Sequence, residues 1–131
     1  MAGGRSRWRT SGFMSRGKRR RARARVFAAL GDETRLALVA RLSNGDSYSI
    51  SQLAEYCAGR SGGAKLTRQA VTKHLRVLQG AGIVRCVRRG RESLFAFEPG
   101  PVDEMKEYLE LVSRRWDEAL GRLKRFVEGS P

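Results

Sequence analysis

The sequence predicts a mainly α-helical domain carrying one small β-hairpin, and three observations lead there. Most of the chain from Ala22 onward spaces its apolar residues three and four apart, the helical period. Only one pair of β-prone runs stands out, IVRCV at 83–87 and SLFAF at 93–97, joined by the polar, glycine-containing RRGRE. The punctuation agrees: Asp32, Thr67 and Pro101 stand where helices begin, and Gly31, Gly80 and Gly82 where they end.

Residues 1–21, MAGGRSRWRTSGFMSRGKRRR, are rich in Gly, Ser and self-repelling Arg and read as a disordered basic arm, with Met14 a second candidate start. The folded domain is expected over residues 22–128. Its first helix begins near Ala22 and offers Val26, Ala29 and Leu30 as an apolar face, ending at Gly31. Asp32 caps a second helix, ETRLALVARL, whose Leu36, Val39, Ala40 and Leu42 are expected to face one way. NGDS at 44–47 breaks the chain before a short third helix from Ile50 to Cys57, with Ile50, Leu53, Ala54 and Cys57 at helical spacing.

The Gly- and Ser-rich link at 58–65 leads into LTRQAVTKHLRVLQGAG, a helix over 67–79 with Thr67 as its cap. The hairpin follows over 83–97. A final helix over 101–128 starts on Pro101, with Asp103 and Glu104 suited to its N-terminal dipole. Its Met105, Tyr108, Leu109, Val112, Trp116, Leu120, Leu123 and Phe126 or Val127 form one stripe. At 1.5 Å per residue this helix is roughly 40 Å long, more than a small core needs, so part of the stripe is expected to pack against another chain. The order helix, helix, helix, helix, hairpin, helix is that of a winged helix-turn-helix with an extra helix at each end.

Charge points to the partner class. The chain carries a formal charge of +14, which favours polyanions, nucleic acid before anionic membrane. Residues 1–25 hold ten basic and no acidic groups, and residues 56–91 hold nine and none. The segments 26–55 and 92–131 are mildly acidic, so the positive excess sits in the arm and in the stretch containing the fourth helix and hairpin. No apolar run approaches the ~18 residues of a membrane span, and no secretory signal opens the chain. Two cysteines, Cys57 and Cys86, are too few for a disulfide framework, and a reducing cytoplasm fits them best.

On a helical wheel at about 100° per residue, Val71, Leu75 and Leu78 share the inward face of the fourth helix, with His74 at its edge. Gln69, Thr72, Lys73 and Arg76 gather on the opposite face, with Arg68 at the margin. An ordinary solvated face mixes Glu with Lys, yet no acidic residue occurs from 56 to 91. Gln pairs with adenine, Arg with guanine, and Thr reaches a thymine methyl or a phosphate, so this face suits the major groove of double-stranded DNA. Arg88, Arg89 and Arg91 around Gly90 give the hairpin three guanidinium groups suited to phosphate or a narrow minor groove.

ALGDETRLALVARL, ISQLAE, LTRQAVTKHLRVLQGAGIV and VRRGRESLFAF together resemble successive signatures of the ArsR/SmtB-type winged-helix repressors, a likeness covering residues 26–128. The resemblance implies a homodimer joined through the first and last helices, here through Val26, Leu30, Tyr108, Val112, Trp116, Leu120 and Leu123, bound to an inverted-repeat operator. It places Arg68, Gln69, Thr72 and Lys73 where family members contact DNA, the face the wheel selects independently. It also allows a small-molecule inducer, which the residues do not identify. Metal-sensing members carry a Cys-x-Cys pair where this chain has Ser49 and Ser51, and others place His along the last helix, which has none. This branch is therefore expected to bind no metal and no cofactor.

Cys57 and Cys86, on an inward helix face and a strand, read as buried inert thiols rather than a redox pair. Trp116 and Asp117 match a family branch with a similar last helix, and packing is the expected role of the Trp. No glycine-rich phosphate loop, Ser/His/Asp arrangement or metal cluster suggests an enzyme. The alternative to a sequence-specific regulator is a sequence-neutral nucleic-acid binder, chromosome-organising or RNA-associated, that relies on its charged arm.

Overall fold

The computed structural model describes residues 15–60 and 66–129. The elements run α1 (Arg16–Leu30), α2 (Glu33–Leu42), β1 (Tyr48–Ser49), α3 (Ile50–Arg60), α4 (Arg68–Gly80), β2 (Val84–Arg89), β3 (Glu92–Phe97) and α5 (Pro99–Glu128). Leu38 and Leu42 of α2, Leu53 and Cys57 of α3, and Val71, Leu75 and Leu78 of α4 form the centre of the core. Val26 and Ala29 of α1, Ile83, Val84 and Phe95 of the hairpin, and Met105 of α5 close it. The fold is a winged helix-turn-helix: mainly helical, with a three-stranded antiparallel sheet in the order β1-β3-β2.

Caps fix several boundaries where the sequence places them. The Asp32 carboxylate accepts from the Arg35 backbone N–H at 3.0 Å and opens α2. The Thr67 hydroxyl accepts from Ala70 N–H at 3.0 Å and opens α4. Gly82, with φ of 80°, supplies the left-handed residue that turns the chain from α4 toward β2.

Five local expectations change. Helix α1 starts at Arg16, six residues before the expected Ala22, so residues 16–21 are not a disordered arm. Ser15 accepts from Lys18 N–H, Arg and Ala are good helix formers, and the packed half near Val26 supplies the nucleus from which the helix extends. The remainder of the arm, residues 1–14, lies outside the described residues.

In α2 the buried residues are Ala37, Leu38 and Leu42, whereas Leu36 and Ala40 point outward. This helix is apolar on nearly every side from 36 to 40, so periodicity could not choose a face. Strand β1 was not anticipated; two residues carry no period, and it exists because Tyr48 and Ser49 pair with Phe95 and Leu94. The hairpin turn is tighter than the polar run RRGRE suggests. Arg88 and Arg89 belong to β2, opposite Ser93 and Glu92, which leaves only Gly90 and Arg91 to turn.

Helix α5 starts at Pro99 rather than Pro101, because a helix's first turn needs no N–H donors within the helix. Asp103 and Glu104 consequently lie beyond the first turn, which contains no acidic residue. The buried residues of α5, Pro101 and Met105, fall in its first two turns. No helix among the described residues is long and apolar enough to cross a membrane.

Candidate nucleic-acid interface

Helix α4 separates an apolar from a polar face, with Val77 as an exposed apolar exception. Val71, Leu75 and Leu78 are fully buried, while Arg68, Gln69, Lys73 and Arg76 are exposed. Thr72 is half-buried and its hydroxyl donates to the Arg68 carbonyl at 2.7 Å, so its methyl group is the part left to offer a partner. Arg68 is engaged as well: its guanidinium donates to the Ser51 hydroxyl in the first turn of α3. The five sequence-selected residues therefore lie together on one helix, with two of them already bonded.

The start of α3 is a reciprocal cap. Ser49 Oγ accepts from Gln52 N–H at 3.2 Å, and Gln52 Oε1 accepts from Ser49 N–H at 2.8 Å. Ser49 and Ser51, which occupy the metal-sensor positions implied by the family likeness, thus cap α3 and hold Arg68. Among the described residues no group of three or more His, Cys, Asp or Glu is placed to hold a metal ion.

Helix α4 packs on β2, which links the helix to the wing. Gly90, with φ of 62°, sits at the first of the two turn positions, where tight hairpin turns favour glycine. Arg88, Arg89 and Arg91 are exposed around it. Arg85, further from the tip, is tied to Glu98 at 2.7 Å and braces the base of the hairpin.

His74 has a role that the wheel alone did not show. Its Nδ1 lies 3.2 Å from Arg35 Nη1 and 3.8 Å from Asp32 Oδ2. The Arg35 backbone N–H holds the Asp32 carboxyl below its ordinary range, and the Arg35 charge pushes the same way against a partial desolvation. Arg35 was missed because it shares the inward face of Leu38 and Leu42. An arginine on that face is itself a signal of acceptors waiting nearby, legible once the face of α2 is known.

Between α1 and α5, Phe27 and Tyr108 pack edge to face at 6.4 Å and the Arg23 guanidinium lies 4.4 Å above the Tyr108 ring. Val26 is 1% exposed, so it belongs to this chain's own core and offers no surface to another, contrary to expectation. Its neighbour Phe27, at 40%, is the exposed aromatic on α1. Leu30 packs partly against the core. Tyr108 and Val112 are half-buried, whereas Trp116, Leu120 and Leu123 are 55–62% exposed.

The cysteines divide. Burial pushes the Cys57 thiol up, which disfavours the reactive thiolate. Cys86, expected to be buried, is exposed on β2, a strand whose Arg85 to Arg89 stretch is largely solvent-facing.

A helix-turn-helix domain family matches residues 30–87. An uncharacterised HTH-type transcriptional regulator of Bacillus subtilis, YuzN, is 32% identical over 80 residues, spanning 61% of this chain and 86% of that protein. Among solved structures, an ArsR-like transcriptional regulator from Rhodococcus sp. RHA1 is 34% identical with a TM-score of 0.67, covering 86% of this chain and 98% of its own. A homodimeric winged helix-turn-helix DNA-binding domain from Mycobacterium bovis shares the fold at 20% identity and a TM-score of 0.55, covering 93% and 95%.

Proposed function

We infer, from the premise that this chain belongs to the ArsR-like family of DNA-binding helix-turn-helix transcriptional regulators, that it acts as a homodimeric repressor on an inverted-repeat operator. The observation that carries this reading is the outward face of α4, rich in donors and free of carboxylate, beside an arginine-tipped wing. Gln69, Lys73 and Arg76, with the Thr72 methyl group, read base edges and adjoining phosphates in the major groove. Arg68 shares its fork between Ser51 and DNA. Arg88, Arg89 and Arg91 take flanking phosphate or minor groove.

The homodimer is supported by the exposed Trp116, Leu120 and Leu123 on a helix whose buried residues end at Met105. Apolar side chains this large at helical spacing favour a matching surface, and the Mycobacterium bovis relative is itself homodimeric. A two-fold dimer presents two copies of α4, which is why an inverted repeat with half-sites about 34 Å apart is the fitting operator. Residues 22–128 serve as one DNA-binding unit, with α5 as its dimerisation helix.

Footprinting upstream of the protein's own gene, followed by competition between the protected duplex and random duplex at physiological salt, tests the reading. A discrete protected inverted repeat that outcompetes random DNA is the expected result. Equal competition sinks it in favour of a sequence-neutral binder whose affinity follows salt alone.

A further inference from the structure

We propose that Arg35 and His74 are positioning residues that set the recognition helix α4 against the C-terminal end of α1, and so fix the angle at which α4 meets DNA. The last carbonyls of a helix lack intrahelical donors, and a cation is favoured there. Arg35 fills that need for the Ala29 carbonyl, to which Nε donates at 2.6 Å, and Nη2 adds a second donor at 3.4 Å to the Ala28 carbonyl, which already accepts from Gly31 N–H. The third arm of the fork, Nη1, points to His74 Nδ1 at 3.2 Å. One planar guanidinium therefore joins the end of α1 to the middle of α4, while its own backbone N–H is held by Asp32.

The chemistry of the contact is directional. Guanidinium has only donors, so Nδ1 must accept, and the ring proton resides on Nε2. Apolar packing of Val71, Leu75 and Leu78 resists separation of α4 from the core, but it resists rotation or sliding far less. A charge-assisted hydrogen bond from a fork anchored on two carbonyls supplies that restraint. His74 adjoins Lys73 and shares its helix with Gln69, Thr72 and Arg76, so a small rotation about this joint moves the reading face. Because α1 also packs on α5 through Phe27 and Tyr108, the same joint sets α4 relative to the helix that carries the exposed apolar stripe.

The DNA part of the test rests on the operator reading above; the ring tautomer does not. The full-length protein is compared as wild type, His74→Leu and His74→Asn, using the promoter duplex that the wild type protects and a random duplex of equal length. Asn places an amide oxygen near the position of Nδ1, whereas Leu fills the space without an acceptor. The expected result is a roughly tenfold fall in the protected-to-random affinity ratio for His74→Leu, with His74→Asn close to wild type.

An unchanged ratio in His74→Leu, or an equal fall in both variants, overturns the proposal. Ring nitrogen chemical shifts of the wild type supply the independent arm. An unprotonated Nδ1 and protonated Nε2 at neutral pH support the joint, and the reverse tautomer refutes it. Should the wild type show no preference between duplexes, the operator reading fails alone, and the tautomer still decides the joint.

Discussion

The Arg68 guanidinium, in the first turn of α4, donates to the Ser51 hydroxyl, in the first turn of α3. Two helices of the DNA-binding unit are thereby tied at their N-terminal ends by a residue that sequence chemistry marks as a base reader. Gln69, exposed beside it, is the cleaner probe of reading. Gln69→Ala should cost about 1–3 kcal/mol on the protected duplex and less on random sequence, measured by quantitative mobility shift. Arg68→Ala should weaken both duplexes, and Ser51→Ala should leave random-duplex affinity near wild type. Equal losses on both duplexes for Gln69→Ala would remove it from the reading surface.

The wing makes a salt-dependent prediction. If Arg88, Arg89 and Arg91 neutralise phosphates, each substitution by Ala should lower the log–log salt slope by about 0.9. Fluorescence anisotropy across a salt series reads this directly. A slope unchanged in the triple variant would assign the arginines to solubility.

The α5 stripe makes a prediction about assembly. Leu120→Glu combined with Leu123→Glu should convert the dimer to monomer in sedimentation velocity while leaving the helical circular dichroism intact, because both side chains are exposed in the single chain. A core change behaves differently: Leu75→Ala should cost ~2–5 kcal/mol in urea unfolding without changing the stoichiometry of the folded fraction. Retention of a dimer in the double glutamate variant would move the interface elsewhere.

Asp32 makes a prediction about pH. Its folded carboxyl is held below the ordinary value of 3.8, so the stabilisation it gives is present above that value and is lost as pH falls through the lower folded value. Asp32→Ala should cost about 1 kcal/mol at neutral pH through loss of the α2 cap. The gap between wild type and this variant should then narrow on acidification below 3.8. Asp32→Asn, which keeps a capping oxygen, should stay close to wild type at neutral pH. A gap between wild type and Asp32→Ala that stays constant from neutral pH to pH 2 would show that the carboxylate charge contributes nothing.

Some of this protein is determined by its sequence alone, because the rules involved reach only a turn of chain. Asp32 and Thr67 cap helices by bonding N–H groups three residues on, so the starts of α2 and α4 follow from local chemistry. The division of α4 follows from its period, since Val71, Leu75 and Leu78 separate on the wheel from Gln69, Thr72, Lys73 and Arg76. Gly90 marks the turn of the hairpin because its backbone conformation favours glycine.

Only the tertiary structure decided the rest. The run from 36 to 40 is apolar all round, and the inward choice of Ala37 and Leu38 depended on packing against α3 and α4. Strand β1 needed β3 beside it. Val26 and Phe27 are adjacent and both apolar, yet one fills the core and the other faces outward. Ser51 and Arg68 stand 17 residues apart, and Arg35 and His74 stand 39 apart. No periodicity or cap links residues at that distance; packing brings each pair together, and the bond then forms between groups whose sequence neighbours give no hint of it.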